Sequence, residues 1–287
     1  MWWLDRDGQP WTGDSRVSHI RRMSAGVGRG NLAIFSGALS PEQNQVLRDD
    51  LVLEDATPPT FNDYEKVIPY GSIPGTHIQR IPAVLKIADG ELLLFWGAGA
   101  DGFNGDGEGV SMHRMNLRYS SDGKLTAKTA PEFFEGPAEP SGVVKHPMLC
   151  KTATGRILLA YDVRDVAGGD LRTVIRRSDD NGQTFTDSEL LAVGTATGSS
   201  GKIIQMESGR LILPMWHFAL PRTPVGCMYS DDDGETWTMG ASVEAPTPGS
   251  INESAVAEYE PGKLIWVVRY SGNSDVRVLL RSEDGGE

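Results

Sequence analysis

The chain is poor in cysteine, with two in 287 residues. Neither Cys150 nor Cys227 stands at a spacing that metal sites or redox pairs use. Each lies in an apolar run, Pro147-Met148-Leu149-Cys150 and Val225-Gly226-Cys227-Met228, and both are read as small core residues. Positive charge is scarce too: 27 lysines and arginines face 39 acidic residues, for a formal net charge of −12 and a pI near 4.9. That excludes nucleic acid and anionic membrane as partners of the molecule as a whole. An anionic small substrate is left possible only where basic residues converge locally. No apolar run approaches the length of a membrane-spanning helix, so no membrane insertion is expected. The opening Met1-Trp2-Trp3-Leu4-Asp5-Arg6-Asp7 lacks the basic-then-apolar order of a signal peptide. A cytosolic protein, a phage component and a chain whose export signal has been removed all fit.

Glycine and proline, by contrast, are abundant, at 34 and 17 residues. A helical protein of this size does not tolerate so many, whereas short strands joined by tight turns require them. With 39% hydrophobic residues spread along it, the chain can bury the core of one large all-β domain or of two ordinary ones.

Four segments share one pattern, an apolar run, a turn with glycine, and a second apolar run. They are Ala83–Ile87 with Leu92–Trp96, Met148–Cys150 with Ile157–Tyr161, Ile203–Met206 with Leu211–Leu213, and Ala255–Ala257 with Leu264–Val268. Each reads as a hairpin whose glycine supplies positive φ. The turn glycines, at 90, 155, 209 and 262, are 65, 54 and 53 residues apart, the regularity of a repeat.

A second motif follows each hairpin in step. Ser178-Asp179-Asp180-Asn181-Gly182-Gln183-Thr184-Phe185 and Ser230-Asp231-Asp232-Asp233-Gly234-Glu235-Thr236-Trp237 are complete Asp-boxes, Ser-x-Asp-x-Gly-x-Thr-aromatic. A third begins at Ser282-Glu283-Asp284-Gly285-Gly286, and Ser120-Ser121-Asp122-Gly123-Lys124-Leu125-Thr126 is a degenerate copy; the four serines are 58, 52 and 52 apart. Such a motif is a turn between strands: the aspartate accepts backbone N–H bonds, glycine takes the left-handed conformation, and the aromatic packs between sheets. Its aspartates are folding devices. Each repeat then supplies four short strands, one blade of a β-propeller. Residues 1–78 form a lead-in, with strands expected over Val17–Met23 and Asn31–Phe35 and a short helix over Pro41–Leu51 behind Ser40. These strands either complete a closing blade or precede the propeller, which occupies 79–287.

Arg80-Ile81-Pro82-Ala83 before the first hairpin, the serial Asp-boxes, and Asn252-Glu253-Ser254 ahead of a hairpin ending in Val268-Arg269 resemble the sialidase (neuraminidase) superfamily. The resemblance covers roughly residues 79–287. It implies an all-β propeller of four-stranded antiparallel blades, six in the complete protein and about four here. It also implies a retaining exo-sialidase that removes terminal sialic or related nonulosonic acids from glycans without a cofactor or metal. Family members grip the sugar carboxylate with three arginines, whose planar forks suit it; Arg80 and Arg269 match the first two. A carboxylate nucleophile would be repelled by that substrate, and the family uses a tyrosine instead, which Glu253 matches the glutamate to activate. The general acid lies on the loop after the first hairpin, where Asp106 is favoured and Asp101 is second. A solvated flexible loop and a calcium site on Asp101, Asn104, Asp106 and Glu108 are the other readings of that segment.

Three departures stand out. The run Gly97–Gly99 replaces an arginine common in the family, and Lys145-His146-Pro147 replaces an aspartate before the second hairpin's proline. No tyrosine of the chain, from Tyr64 to Tyr270, matches the nucleophile motif. That tyrosine and the third arginine are expected beyond residue 287, in roughly a hundred further residues. The partner is expected to be a sialylated or other acidic glycan. The alternatives are a non-catalytic glycan-binding propeller, such as an adhesin or tail protein, and a hydrolase for another acidic sugar.

Overall fold

The computed structural model describes residues 20–22, 32–34, 67, 73, 78–99, 111–136, 142–164, 170–191, 197–199, 201–217, 224–244, 251–270 and 277–287. The chain divides into two units, Met1–Lys66 and Val67–Glu287. In the first, β1 (Ile20–Arg22) and β2 (Leu32–Ile34) pair antiparallel as a two-stranded sheet of their own. The helix expected over 41–51 lies outside the described residues.

The second unit consists of four antiparallel sheets in chain order, with no helix among the described residues. The first contains β3 (Ile78–Ala88), β4 (Glu91–Gly99), β5 (Ser111–Tyr119), β6 (Leu125–Lys128) and β7 (Glu132–Glu135), with β6 and β7 both pairing β5. The second runs β8 (Val143–Lys151), β9 (Ile157–Arg164), β10 (Arg172–Ser178) and β11 (Glu189–Leu190). In the third, β12 (Thr197–Ser199) and β13 (Ile204–Gln205) share β14 (Leu211–His217), followed by β15 (Val225–Ser230) and β16 (Thr238–Val243). The fourth has β17 (Ile251–Glu260), β18 (Lys263–Tyr270) and β19 (Arg277–Ser282). These are propeller blades, each with the expected hairpin at its start and glycines 90, 155, 209 and 262 at φ 72–95° in the turns.

Successive blades bury their facing sides against each other. Leu85, Ile87, Leu93 and Phe95 of the first meet Val144, Leu149, Leu159 and Tyr161 of the second. Leu158 and Ile175 of the second join Leu213, Met215 and Met228 of the third, and Ile212, Trp216 and Cys227 of the third pack on Leu264, Trp266 and Val268 of the fourth. Both cysteines are buried and free. Burial pushes their thiols up, to about 11 for Cys150 and about 12 for Cys227, which removes the thiolate that redox or metal chemistry needs.

The serine-aspartate turns lock this stack. In the second blade Ser178 Oγ donates to Asp180 Oδ1 at 2.7 Å and accepts from the Gly182 N–H at 2.8 Å, while Asp180 Oδ1 accepts from the Thr184 N–H at 2.9 Å. Ser230, Asp232, Gly234 and Thr236 repeat the arrangement at 2.8, 2.9 and 2.8 Å. Ser282, Asp284 and Gly286 repeat its first half. The copy at Ser120 is one residue tighter: the Gly123 N–H donates to the Ser120 carbonyl at 2.9 Å. Phe185 sits edge-on to Phe95 and Phe134 of the preceding blade. Arginines then tie neighbours together. Arg156 donates to Asp179 of its own blade and Glu235 of the next, and Arg210 to Asp231 and Gly285 in the same way.

Candidate functional site

Strand direction sorts every blade into two ends. The hairpin turns and serine-aspartate turns share one end, where contacts between blades such as Thr154 to Asp233 and Lys151 to the Ile87 carbonyl keep them level. The other end carries the starts of first strands β3, β8, β12 and β17 and the finishes of second strands β4, β9, β14 and β18. Arg80, Glu253 and Arg269 all fall there. So do Lys145, Arg164, Arg172 and Arg277, a set of basic positions in a chain that is acidic overall.

Each first strand is interrupted near this end. Between Arg80 and Ala83, β3 advances three residues while its partner advances two, from Gly97 to Phe95. The same one-residue bulge occurs between Lys145 and Met148 against Asp162 and Ala160, and between Ile251 and Ser254 against Tyr270 and Val268. In the third blade the first strand is split into β12 and β13. Bulges re-aim side chains and are a recurrent device at functional sites. Here they come with left-handed backbone at Ile81 (φ 48°) and His146 (φ 56°), and at Gly201 (φ 107°) in the split. Left-handed backbone at a β-branched residue such as Ile81 is costly, on the order of 1–3 kcal/mol, and persists only where the surroundings enforce it. Ile-Pro and His-Pro supply the other half of the device, since proline inside a strand belongs at a bulge.

The expected site residues are accounted for as follows. Glu253 and Arg269 stand across the fourth blade's bulge, with Arg269 Nη1 3.0 Å from Glu253 Oε2 and both side chains about half exposed. In such an open setting the pair adds little to stability, about 0–1 kcal/mol. Arg80 is the last paired residue before the corresponding bulge of the first blade, opposite Gly97. Asp106, Asp101 and the rest of the proposed calcium loop lie outside the described residues. Among the described residues no group of three or more histidine, cysteine or acidic side chains is arranged to hold a metal ion.

Tyr161 makes a contact that superficially fits an activated tyrosine. Its hydroxyl donates to Glu135 and accepts from Arg176 Nε at 2.8 Å, and Arg176 reaches Glu135 Oε2 at 2.7 Å. Yet the ring is fully buried, and burial, with Glu135 beside it, drives the phenol well above its ordinary range. A nucleophile requires the opposite shift. Tyr161 is a buried polar clasp, and sequence reading had not paired it with Glu135. A recess of about 300 Å3 nearby is lined by Glu135, Arg164, Arg172 and Ser188 among valines; neither Glu253 nor Arg269 borders it.

A second grouping was not anticipated. His146, in the second blade's bulge, places Nδ1 3.0 Å from Asp162 Oδ2, and Thr173 Oγ1 donates to Asp162 Oδ1 at 2.9 Å. Asp162 and Thr173 are fully buried. Trp216 of the third blade stands edge-on to the imidazole at 6.2 Å between ring centres. The legible signal was an aspartate closing the apolar run Ile157–Tyr161.

Comparison with known proteins agrees with this architecture. Anhydrosialidase of Macrobdella decora is 33% identical over 129 residues, 39% of this chain and 16% of that protein, so the chain spans about a sixth of the curated relative it matches. Among solved structures, a Dyadobacter fermentans protein of unknown function superposes with TM-score 0.62 at 23% identity, over 74% of this chain and 67% of the other. A leech intramolecular trans-sialidase complexed with 2,7-anhydro-Neu5Ac gives 0.61 at 16%, over 89% and 55%. The NanB sialidase of Streptococcus pneumoniae gives 0.60 at 13%, over 90% and 56%. At these identities the structures bear on fold alone. The family described as BNR repeat-like domain matches residues 90–287, and with four repeat-bearing sheets of the sialidase propeller type, the chain belongs to it.

Proposed function

We propose that this chain is part of a sialidase-like glycoside hydrolase that removes terminal sialic or related nonulosonic acid from glycans with retention of configuration. The observation that carries the reading is the bulged end of the first and fourth blades. Arg80 directly precedes the bulge of the first blade, while Glu253 lies within that of the fourth with Arg269 across from it, in the order that the family resemblance requires. In this reading Arg80 and Arg269 hold the substrate carboxylate through paired N–H donors. Asp106, or Asp101 on the same loop, gives its proton to the leaving oxygen. Glu253 takes the proton of a tyrosine hydroxyl that attacks the anomeric carbon; Tyr161 is not that tyrosine. The similarity to an anhydrosialidase supports the substrate class.

Two measurements test it. Calorimetric binding of N-acetylneuraminic acid to the 287-residue chain should weaken about 10- to 100-fold in Arg80→Ala and in Arg269→Ala, the loss expected for a charge-assisted carboxylate contact. A parent protein carrying the same residues should hydrolyse 4-methylumbelliferyl N-acetylneuraminate and lose that activity in Asp106→Asn and Glu253→Gln. Binding that persists in those variants with no turnover by the parent would instead establish a non-catalytic glycan-binding propeller. Exposed and mutually satisfied, the Glu253–Arg269 pair is the observation that favours this second reading.

A further inference from the structure

We infer that His146 is a ligand-contacting residue of the same open end, held by Asp162 as its positioning residue, with Nε2 presented to an acidic sugar. The inference deepens the proposed function and rests on its substrate class.

The argument begins with Asp162. A carboxylate with no exposed surface persists only when its oxygens are hydrogen-bonded. Thr173 Oγ1 serves Oδ1 at 2.9 Å and His146 Nδ1 serves Oδ2 at 3.0 Å. Asp162 also has Lys145, itself buried, as its cross-strand neighbour. Facing a carboxylate, which only accepts, Nδ1 is the ring nitrogen that would carry the hydrogen. That fixes both the ring's orientation and its tautomer, leaving Nε2 free to accept in the neutral ring or donate in the imidazolium.

Orientation alone would suit a structural histidine. The backbone also places it at the open end. His146 is left-handed, at φ 56°, and it is the residue a bulge displaces from the ladder. In a regular strand residue 146 would face away from Asp162, whose cross-strand partner is residue 145, so the bulge, at a conformational cost on the order of 1–3 kcal/mol, is what brings the imidazole to the carboxylate. The first blade uses the same bulge-proline device one residue after Arg80. The ring is 12% exposed whereas Asp162 is 0%, so the pair has one inward and one accessible member. Trp216 approaches edge-on from the third blade.

A sugar hydroxyl both donates and accepts, and a sugar carboxylate accepts, so either partners Nε2. The test uses the 287-residue chain and N-acetylneuraminic acid, glucuronic acid and galacturonic acid as probes. His146→Asn keeps an amide near the Nδ1 position for Asp162 but offers nothing where Nε2 lay. It should retain the wild-type urea midpoint and bind the preferred acid tenfold or more weakly. Asp162→Asn should weaken binding in the wild-type background and add little to His146→Asn, the coupling expected of a residue acting through another. Histidine 15N spectra of the unsubstituted protein guard against variants that fail to fold. The Nε2 resonance assigned to His146 should move on saturation with the acid, with Nδ1 remaining protonated. If the wild type binds an acid while His146→Asn binds it equally and the Nε2 resonance stays put, the inference is overturned and the proposed function stands. If the wild type binds none of the three acids, both fall.

Discussion

Replacing Gly234 with alanine tests whether the serine-aspartate turns key each blade into its predecessor. Gly234 lies at φ 82°, and a Cβ built there would stand 2.8 and 2.9 Å from the two Leu158 methyl carbons. Leu158 is wholly buried between the second and third blades, so its methyls have little room to swing aside. Two costs add. Left-handed backbone costs an alanine about 1–2 kcal/mol, and overpacking a close-packed site costs about 1–3 kcal/mol. Reduced freedom of the unfolded chain returns about 0.4–1 kcal/mol. The net destabilisation is therefore about 3 kcal/mol.

Gly155→Ala is the matching control. Its φ is 94° but nothing lies within 4 Å of the added carbon, so only the backbone cost of about 1 kcal/mol remains. Urea unfolding followed by tryptophan fluorescence should separate the two by about 2 kcal/mol. In a heating scan, about 2–4 °C per kcal/mol is expected for a domain of this size. The steric share should also couple to its partner: Leu158→Ala, which alone costs about 2–5 kcal/mol, should cost less in the Gly234→Ala background. Equal losses at Gly234 and Gly155, or strict additivity with Leu158→Ala, would refute the keyed packing. The repeat makes a further demand, because a Cβ added at Gly182 would stand 2.6 Å from Leu93 Cδ2 in the blade before it, and Gly182 should respond as Gly234 does.

Other consequences can be measured on the same protein. Tyr161→Phe removes a hydroxyl that bridges Glu135 and Arg176, but those two still meet at 2.7 Å; a loss of about 1 kcal/mol in urea is expected, without change in the fold. Asp180 is held at about 2 by hydrogen bonds from Thr184 and Ser178. At Asp232 burial pushes upward, but bonds from Thr236 and Ser230 outweigh it and the carboxyl also stands at about 2. Since both folded values lie below the unfolded one of 3.8, this stability is complete above about pH 4 and is lost as pH falls through about 2. Replacing both with asparagine should flatten acid unfolding across that window. Cys150 and Cys227, pushed up to about 11 and 12, should resist a thiol-specific disulfide reagent at pH 8 until urea is added, and rapid labelling of the native protein would contradict their burial.

What the sequence discloses follows from what repeats. The turn glycines and serine-aspartate motifs recur because every blade faces the same problem of reversing the chain beside a packed neighbour, so their period exposes the blades and their order. Leu93, Leu158 and Ile212 stand three residues after Gly90, Gly155 and Gly209, and each lies beneath the serine-aspartate glycine of the following blade, Gly182, Gly234 or Gly286. The contact between blades was thus written in the spacing as well. Two other features were not visible. A proline in an apolar run reads as a strand boundary, yet Pro82 and Pro147 lie within β3 and β8 and mark bulges inside them. Glu135 and Tyr161 belong to different blades, and no local pattern links residues 26 positions apart that meet only when two sheets stack.

This division has a structural cause that bears on function. The end with the turns is over-determined. Arg156 and Arg177 of the second blade both reach the third blade's turn, and Arg114 of the first reaches the carbonyls of Gly182 and Gln183. Substitution there disturbs two blades at once, which confines the turn to a motif and makes it readable. The opposite end carries first-strand interruptions that differ from blade to blade, with Ile81-Pro82, His146-Pro147, Gly201 and Asn252-Glu253 at equivalent places. Because the stack is secured elsewhere, these positions can bear strained backbone and unlike side chains without loss of the fold. Unlikeness among equivalent positions is then what sets apart the end that we propose to be functional. By that criterion His146, which no repeat predicts, stands with Glu253 among the unlike bulge positions, beside the Arg80 and Arg269 that we propose as ligand contacts.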